Sequence, residues 1–180
     1  MIIEEVLKNK FTQIPGRFIN FVQLLELCYC FPRVPPQKLK TMVYVIRKEH
    51  FNAAHRLFNP AWSEEKNHEV FGPCANNNWH GHNFELIVTV KGIPDTDTGF
   101  VYDLKQLGDL IKAEIIDKVD HKNLNLDVDF MLGKLASCEI LVMEFWKILA
   151  PKINETSETA TLHKIHLIET NKNSVEYFGE

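Results

Sequence analysis

The chain is short of the features that mark several large protein classes. Four cysteines, at positions 28, 30, 74 and 138, are too few for a secreted disulfide scaffold and fit a reducing cytoplasm. Twenty Lys and Arg face 24 Asp and Glu, and with a formal net charge of −4 and no basic block, electrostatics give no case for nucleic acid. The most apolar stretch, residues 17–31 (RFINFVQLLELCYCF), is shorter than a membrane span and is interrupted by Asn20, Gln23 and Glu26. It reads as a short amphipathic helix, with no membrane partner implied. No internal repeat is visible. What is there is a composition ordinary for a globular protein, in a length that suits one domain plus an appendage.

Pro32, Pro35 and Pro36 break the chain after that stretch, and Gln37 to Thr41 read as a linker. Residues 1–41 are therefore expected to form an N-terminal extension outside the main domain, which occupies 42–180. Within that domain VYVIRKEHF alternates like a strand. Trp62 to Lys66 suggest a short surface helix that Gly72 and Pro73 end, and His68 there reads as solvated.

Phe71 to Val90, FGPCANNNWHGHNFELIVTV, organises the rest. Read as a strand from His80, it puts His80, His82, Phe84, Leu86, Val88 and Val90 on one face. Two imidazoles on the core side of a strand call for something that binds them, and neutral imidazole is the commonest metal ligand. His55, at the end of the preceding strand, supplies a third if the two strands pair antiparallel. Three histidines with an open position make a catalytic zinc site. With Cys74 as a fourth ligand they make a closed structural one, and spacing leaves both open.

After a turn-rich connection at 94–99 comes a short strand, Phe100 to Tyr102, and then a helix capped by Asp103 with Leu104, Leu107, Ile111 and Ile115 along one stripe. Asp120 and His121 follow in a polar loop. Ser137 caps a second helix, with Leu141, Phe145, Ile148 and Leu149 as its stripe and Pro151 as its stop. Leu162–Ile168 and Ser174–Phe178 form a terminal hairpin around Asn171 to Asn173. His163 and His166 are expected on opposite sides of its first strand, unable to share a metal. The order β-hairpin, two helices, β-hairpin predicts an α+β domain with both helices on one face of an antiparallel sheet.

His55, the Cys74-x5-His80-Gly81-His82 segment, Asp120-His121-Lys122-Asn123-Leu124 and Glu169-Thr170 together resemble the 6-pyruvoyl-tetrahydropterin synthase family, which also includes bacterial 6-carboxytetrahydropterin synthases. The resemblance covers Met42 to Glu180. It implies the tunnelling fold, with trimers whose sheets close into a barrel and stack as homo-hexamers, which would also protect the sheet edges. It implies a pterin substrate, 7,8-dihydroneopterin triphosphate, and Zn2+ on His55, His80 and His82. It further implies Cys74 as base, with Asp120 orienting His121 for proton shuttling and Glu169 as the pterin anchor. Many 6-pyruvoyl-forming members carry threonine where this chain has Cys138. The five-residue gap between Cys74 and His80 resembles the 6-pyruvoyl-forming enzymes, whereas compact 6-carboxy-forming members, which serve queuosine and other deazapurine synthesis, have a shorter one. A non-enzymatic, zinc-stabilised binding module is the alternative from another class.

Overall fold

The structure, a computed structural model, describes residues 41–180. The extension at 1–41, its expected helix at 17–31, Cys28 and Cys30 therefore lie outside the described residues, apart from Thr41. Two long strands open the domain, β1 (Val43–His55) and β2 (His80–Gly92), paired antiparallel through their whole length so that His55 stands opposite His80 and Phe51 opposite Phe84. Between them Ser63 caps the short helix α1 (Glu64–Phe71) by accepting from the Lys66 amide, and Gly72, at φ 55°, ends it in a conformation that glycine tolerates. Helix α2 (Leu104–Ile111) starts at Asp103, whose carboxylate accepts from the amides of Lys105 and Gln106, and winds on through a π-turn to Val119. A two-residue strand β3 (Lys122–Asn123), helix α3 (Cys138–Thr156) and the hairpin β4 (Ala160–Ile168) and β5 (Ser174–Tyr177) complete it. The sheet order is β3-β1-β2-β4-β5.

The α+β architecture is as the hydrophobic pattern predicts. Leu107, Ile111 and Ile115 from α2 and Leu141, Phe145, Leu149 and Ile153 from α3 are fully buried against Phe51, Phe84, Leu86, Val88, Ile165 and Leu167 of the sheet, in one continuous core. Both helices thus lie on the same face, while Tyr44 and Ile46 of the other face are 51% and 59% exposed. The buried face ends at the histidines. Phe84 lies beneath them, its ring centroid 6.0 Å from that of His55 and 5.5 Å from that of His82.

Five local expectations need correction. Phe100 to Tyr102 form no strand: Val101 and Tyr102 are both buried, which consecutive residues of a one-sided strand cannot be. Leu104, in the first turn of α2, stays exposed and is not part of the core stripe. The polar loop after Asp120 contributes β3, which adds parallel to β1 at Ala53 and Ala54. Helix α3 runs past Pro151 to Thr156. Its last turn is held by the fully buried Ile153 and by a 2.6 Å hydrogen bond between the Tyr102 and Thr156 hydroxyls. Burying an isoleucine is worth about 1.5–3 kcal/mol, comparable with the roughly 3 kcal/mol that an interior proline costs. Finally, β4 bulges between Leu162 and Lys164, the partners of Val90 and Thr89. The extra residue resets the alternation, so Leu162, Ile165 and Leu167 are all buried while His163 and His166 share the outward face, against Tyr44 and Glu176 respectively.

Candidate functional site

The register of β1 and β2 sets the site. His55 and His80 are direct cross-strand partners and His82 sits two residues along the same face, so the three rings gather with centroids 4.5, 5.1 and 5.0 Å apart. Gly81 lets the strands approach, because a Cβ there would stand 3.0 Å from the Ala53 carbonyl oxygen. The His55 Nδ1–H donates to the Ala136 carbonyl at 2.7 Å, which leaves Nε2 with a free lone pair.

His55 Nε2, His80 Nδ1 and His82 Nε2 are buried without a hydrogen-bond partner, and each of the three rings offers a ligand nitrogen within 4.8 Å of the others. Burial pushes the pKa of His55 down, more strongly than the Ala136 hydrogen bond raises it, and the other two imidazoles add to the fall. His80 is lowered for the same first reason. Three buried imidazole nitrogens without hydrogen-bond partners, gathered from three histidines into one small group, are a donor set that fits a divalent metal ion.

Beside the triad opens a cleft of about 390 Å³ lined by His55, Cys74, Ser137, Cys138, Glu139, Glu169 and Lys172, among others. Cys74 belongs to a 3-10 turn, Gly72–Ala75, fastened to the strand end by the Leu57 amide donating to the Cys74 carbonyl at 2.9 Å. Glu169 follows β4 directly. Its Oε1 accepts from the Cys138 thiol at 3.4 Å and lies 3.6 Å from both His55 Nε2 and His82 Nε2. Burial, with the Glu169 charge second, drives the Cys138 pKa far upward, so Cys138 is held as a thiol.

Asp120 and His121 sit elsewhere. His121 Nδ1 is 2.9 Å from Asp120 Oδ2, and Asp120 Oδ1 accepts the Asn52 amide at 2.8 Å. That amide holds the Asp120 carboxyl below the usual range, and His121 adds to the effect. The His121 side chain is 76% exposed and opens onto a shallow depression whose lining includes Asn52, Gly81, His82 and Asn83 but neither Cys74 nor Glu169. One chain therefore gathers His55, His80, His82, Cys74 and Glu169, and leaves the Asp120–His121 pair outside that cleft.

Sequence reasoning placed Ser137 as the cap of α3 but missed what its neighbours Ala136 and Cys138 do. Ala136, Ser137 and Cys138 in succession orient His55, start the helix and hold Glu169. A backbone carbonyl carries no side-chain signature, so Ala136 left no signal. Cys138 left one, as a departure from the family's threonine.

The domain has known relatives. A family model described as 6-pyruvoyl tetrahydropterin synthase matches residues 44–180. A human 6-pyruvoyl tetrahydrobiopterin synthase is 35% identical over 136 residues, covering 76% of this chain and 91% of that protein. The Dictyostelium discoideum protein of the same name is 35% identical over 138 residues, 77% of this chain and 97% of its own. Among solved structures, the Caenorhabditis elegans 6-pyruvoyl tetrahydropterin synthase superposes with a TM-score of 0.69 at 33% identity, covering 79% of this chain and 99% of that one. The chain belongs to the 6-pyruvoyl tetrahydropterin synthase family.

Proposed function

We propose that the chain is a zinc-dependent lyase that converts 7,8-dihydroneopterin triphosphate, with loss of triphosphate, to 6-pyruvoyl-tetrahydropterin. The observation that carries this reading is the convergence of three partnerless imidazole nitrogens, with His55 among them lining a cleft that also holds the Cys74 thiol and the Glu169 carboxylate. Relatives named for this product, and the five-residue gap from Cys74 to His80, favour it over 6-carboxytetrahydropterin formation.

Zinc held by His55, His80 and His82 would supply Lewis-acid polarisation of the substrate's side-chain oxygens, which makes the neighbouring C–H acidic. The Cys74 thiolate is the base within reach of the cleft and takes that proton. Glu169 accepts two hydrogen bonds from the 2-amino and ring N–H groups of the pterin, a planar match for a carboxylate. Asp120 fixes the tautomer and direction of His121, which shuttles protons.

Because His121 is exposed on the side of the sheet that ends in β3, while Glu169 lies toward the β4–β5 side, sheets joined edge to edge would bring one copy's His121 toward another's cleft. The reading therefore includes a homo-oligomer, a hexamer built of two trimers as the resemblance implies. It also includes a catalytic domain at 42–180, with 1–41 outside it, and a cytoplasmic setting. Among the described residues no helix is long and apolar enough to cross a membrane.

Incubating zinc-loaded protein with 7,8-dihydroneopterin triphosphate tests the proposal. Release of triphosphate with a 6-pyruvoyl-tetrahydropterin mass is expected. A 6-carboxytetrahydropterin mass with acetaldehyde would reassign the product, and no turnover would leave a zinc-stabilised binding module.

A further inference from the structure

The turn that carries Cys74 is fastened from behind, by a residue outside the cleft. Where β1 ends, successive residues divide between two cavities: His55 and Leu57 line the cleft that holds Cys74, whereas Arg56, between them, lines a separate one with Phe58, Trp62, Phe71 and Trp79. Arg56 is charged, yet its side chain is only 12% exposed. Burying a guanidinium is costly unless its donors are used. Its Nε–H donates to the carbonyl of the fully buried Ala75 at 2.6 Å, and its Cζ lies 3.9 Å from the centroid of the Phe58 ring. The ion pair it also makes, with Glu64 at 3.3 Å, reaches a carboxylate that is 53% exposed, and such pairs contribute little. Ala75 and Cys74 are neighbours in the Gly72–Ala75 turn, and the Leu57 amide takes the Cys74 carbonyl. Two successive carbonyls of the turn are thus held by the two residues that follow His55. The Gly72 amide donates to His68 and the Asn76 amide to Pro73, bonds between near neighbours in sequence that fix the turn's shape but not its place.

We infer that Arg56 is a positioning residue, which sets where the Cys74 turn sits against the strand end that carries His55. The main chain of Arg56 is itself clamped. The Asn125 side chain accepts from the Arg56 amide and donates to the Arg56 carbonyl, both at 3.0 Å, a pairing that a carboxamide completes because it carries donor and acceptor together. Asn125 lies in the loop that follows Asp120 and His121, and Leu124 of the same loop donates to the Ala54 carbonyl at 2.8 Å. Arg56 therefore joins three segments, the end of β1, the thiol turn and the loop after His121. It lines no part of the Cys74 cleft, so its effect on chemistry passes through the turn. The inference rests on the reading of Cys74 given above only for its consequence in turnover. A displacement of about 1 Å at a reacting group costs roughly a hundredfold in rate. The three histidines take their places from the pairing of β1 with β2, so the metal site does not depend on the guanidinium.

The test is Arg56→Met in the full chain, which keeps an unbranched apolar stem and removes every donor. With 7,8-dihydroneopterin triphosphate, kcat should fall by roughly tenfold to a hundredfold while KM and metal content stay close to wild type. Amide exchange should quicken at residues 72–76 and keep its wild-type protection along 43–55 and 80–92. Arg56→Lys, which can still donate to Ala75 but cannot lie flat on Phe58, should recover part of kcat. Glu64→Gln should match wild type, because the exposed ion pair is not the tie. Asn125→Ala should repeat the Arg56→Met pattern in weaker form, and it takes the place of that variant should Arg56→Met fail to fold. Wild-type kcat together with wild-type exchange at 72–76 in Arg56→Met would overturn the inference. So would a loss in which metal content, KM and protection of both strands change along with kcat, the pattern of a residue that only holds the fold. If Cys74→Ala turns over as fast as wild type, the reading of Cys74 as base fails, whereas quickened exchange confined to 72–76 in Arg56→Met still upholds the tie.

Discussion

The main-chain amide of Leu57 donates to the carbonyl of Cys74 at 2.9 Å, two residues beyond His55. The turn that carries the thiol is therefore tied by its backbone to the strand that carries a histidine of the triad, and the sulfur is left out of that tie. In the same region the His55, His80 and His82 ligand atoms form a compact group to which Cys74 does not belong.

Cys74→Ala should consequently keep its metal and its fold and lose turnover, by roughly a hundred- to ten-thousand-fold if the thiolate is a general base. Metal analysis, thermal melting and a turnover assay on one preparation check this. His80→Ala is the control and should lose metal. A metal-free Cys74→Ala protein would instead make Cys74 a structural ligand, since metal binding at such sites is coupled to folding.

Asp120 has two separable tasks. Oδ1 accepts the Asn52 amide and Oδ2 faces His121. Asp120→Asn can keep the first while losing the carboxylate that orients the imidazole, so it should melt close to wild type and turn over roughly a hundredfold more slowly or worse. Asp120→Ala leaves the Asn52 amide without its acceptor and should cost a further ~1 kcal/mol in a denaturant titration. Equal turnover by wild type and Asp120→Asn would remove the pair from the mechanism.

The pH dependence of the metal-stripped protein follows from His55. Folding lowers its pKa below the ordinary value of 6.5, chiefly because burial disfavours the imidazolium. Below 6.5 the unfolded chain therefore binds more protons than the folded one. The contribution is fully present above 6.5 and is lost as pH falls from there to the lower folded-state value, beneath which the loss no longer grows. His80, shifted the same way, adds to it. Denaturant midpoints between about pH 7.5 and 5 should fall on acidification, less steeply in His55→Ala. With metal bound, protons compete for the same nitrogens, so acid should also release the ion. A flat profile for the stripped wild type would contradict the shift.

The histidine triad was legible in the sequence because a strand has a period of two. His80 and His82 share a face with Phe84 and Leu86, and antiparallel pairing of consecutive strands places His55 opposite His80. Other parts depend on contacts between distant residues. Cys138 and Glu169, 31 residues apart, meet only because α3 starts where β4 ends. The β4 bulge is a single extra residue with no compositional mark, and it overturned the expected placing of His163 and His166. The separation of His121 from Cys74 is a property of the sheet's edges, and periodicity along one strand carries no information about it.

Pro151 shows the same limit and leads to the last prediction. Proline lacks the amide that would bond the Lys147 carbonyl and crowds that carbonyl, which is why the sequence reads as a helix stop. The chain nonetheless stays helical to Thr156, with Ile153 fully buried and Thr156 bonded to Tyr102. The proline is exposed, so water can reach around the break, and tertiary contacts after it hold the final turn. If those contacts oppose a standing local cost, Pro151→Ala should raise stability by about 1–3 kcal/mol, less whatever the proline gains by restricting the unfolded chain. Ile153→Ala should lower it by about 2–5 kcal/mol and fray the turn. Denaturant unfolding measures both changes, and amide exchange at residues 152–156 reports the turn. A Pro151→Ala protein less stable than wild type would mean that the helix is bent to suit the proline, with the packing of Ile153 depending on that bend.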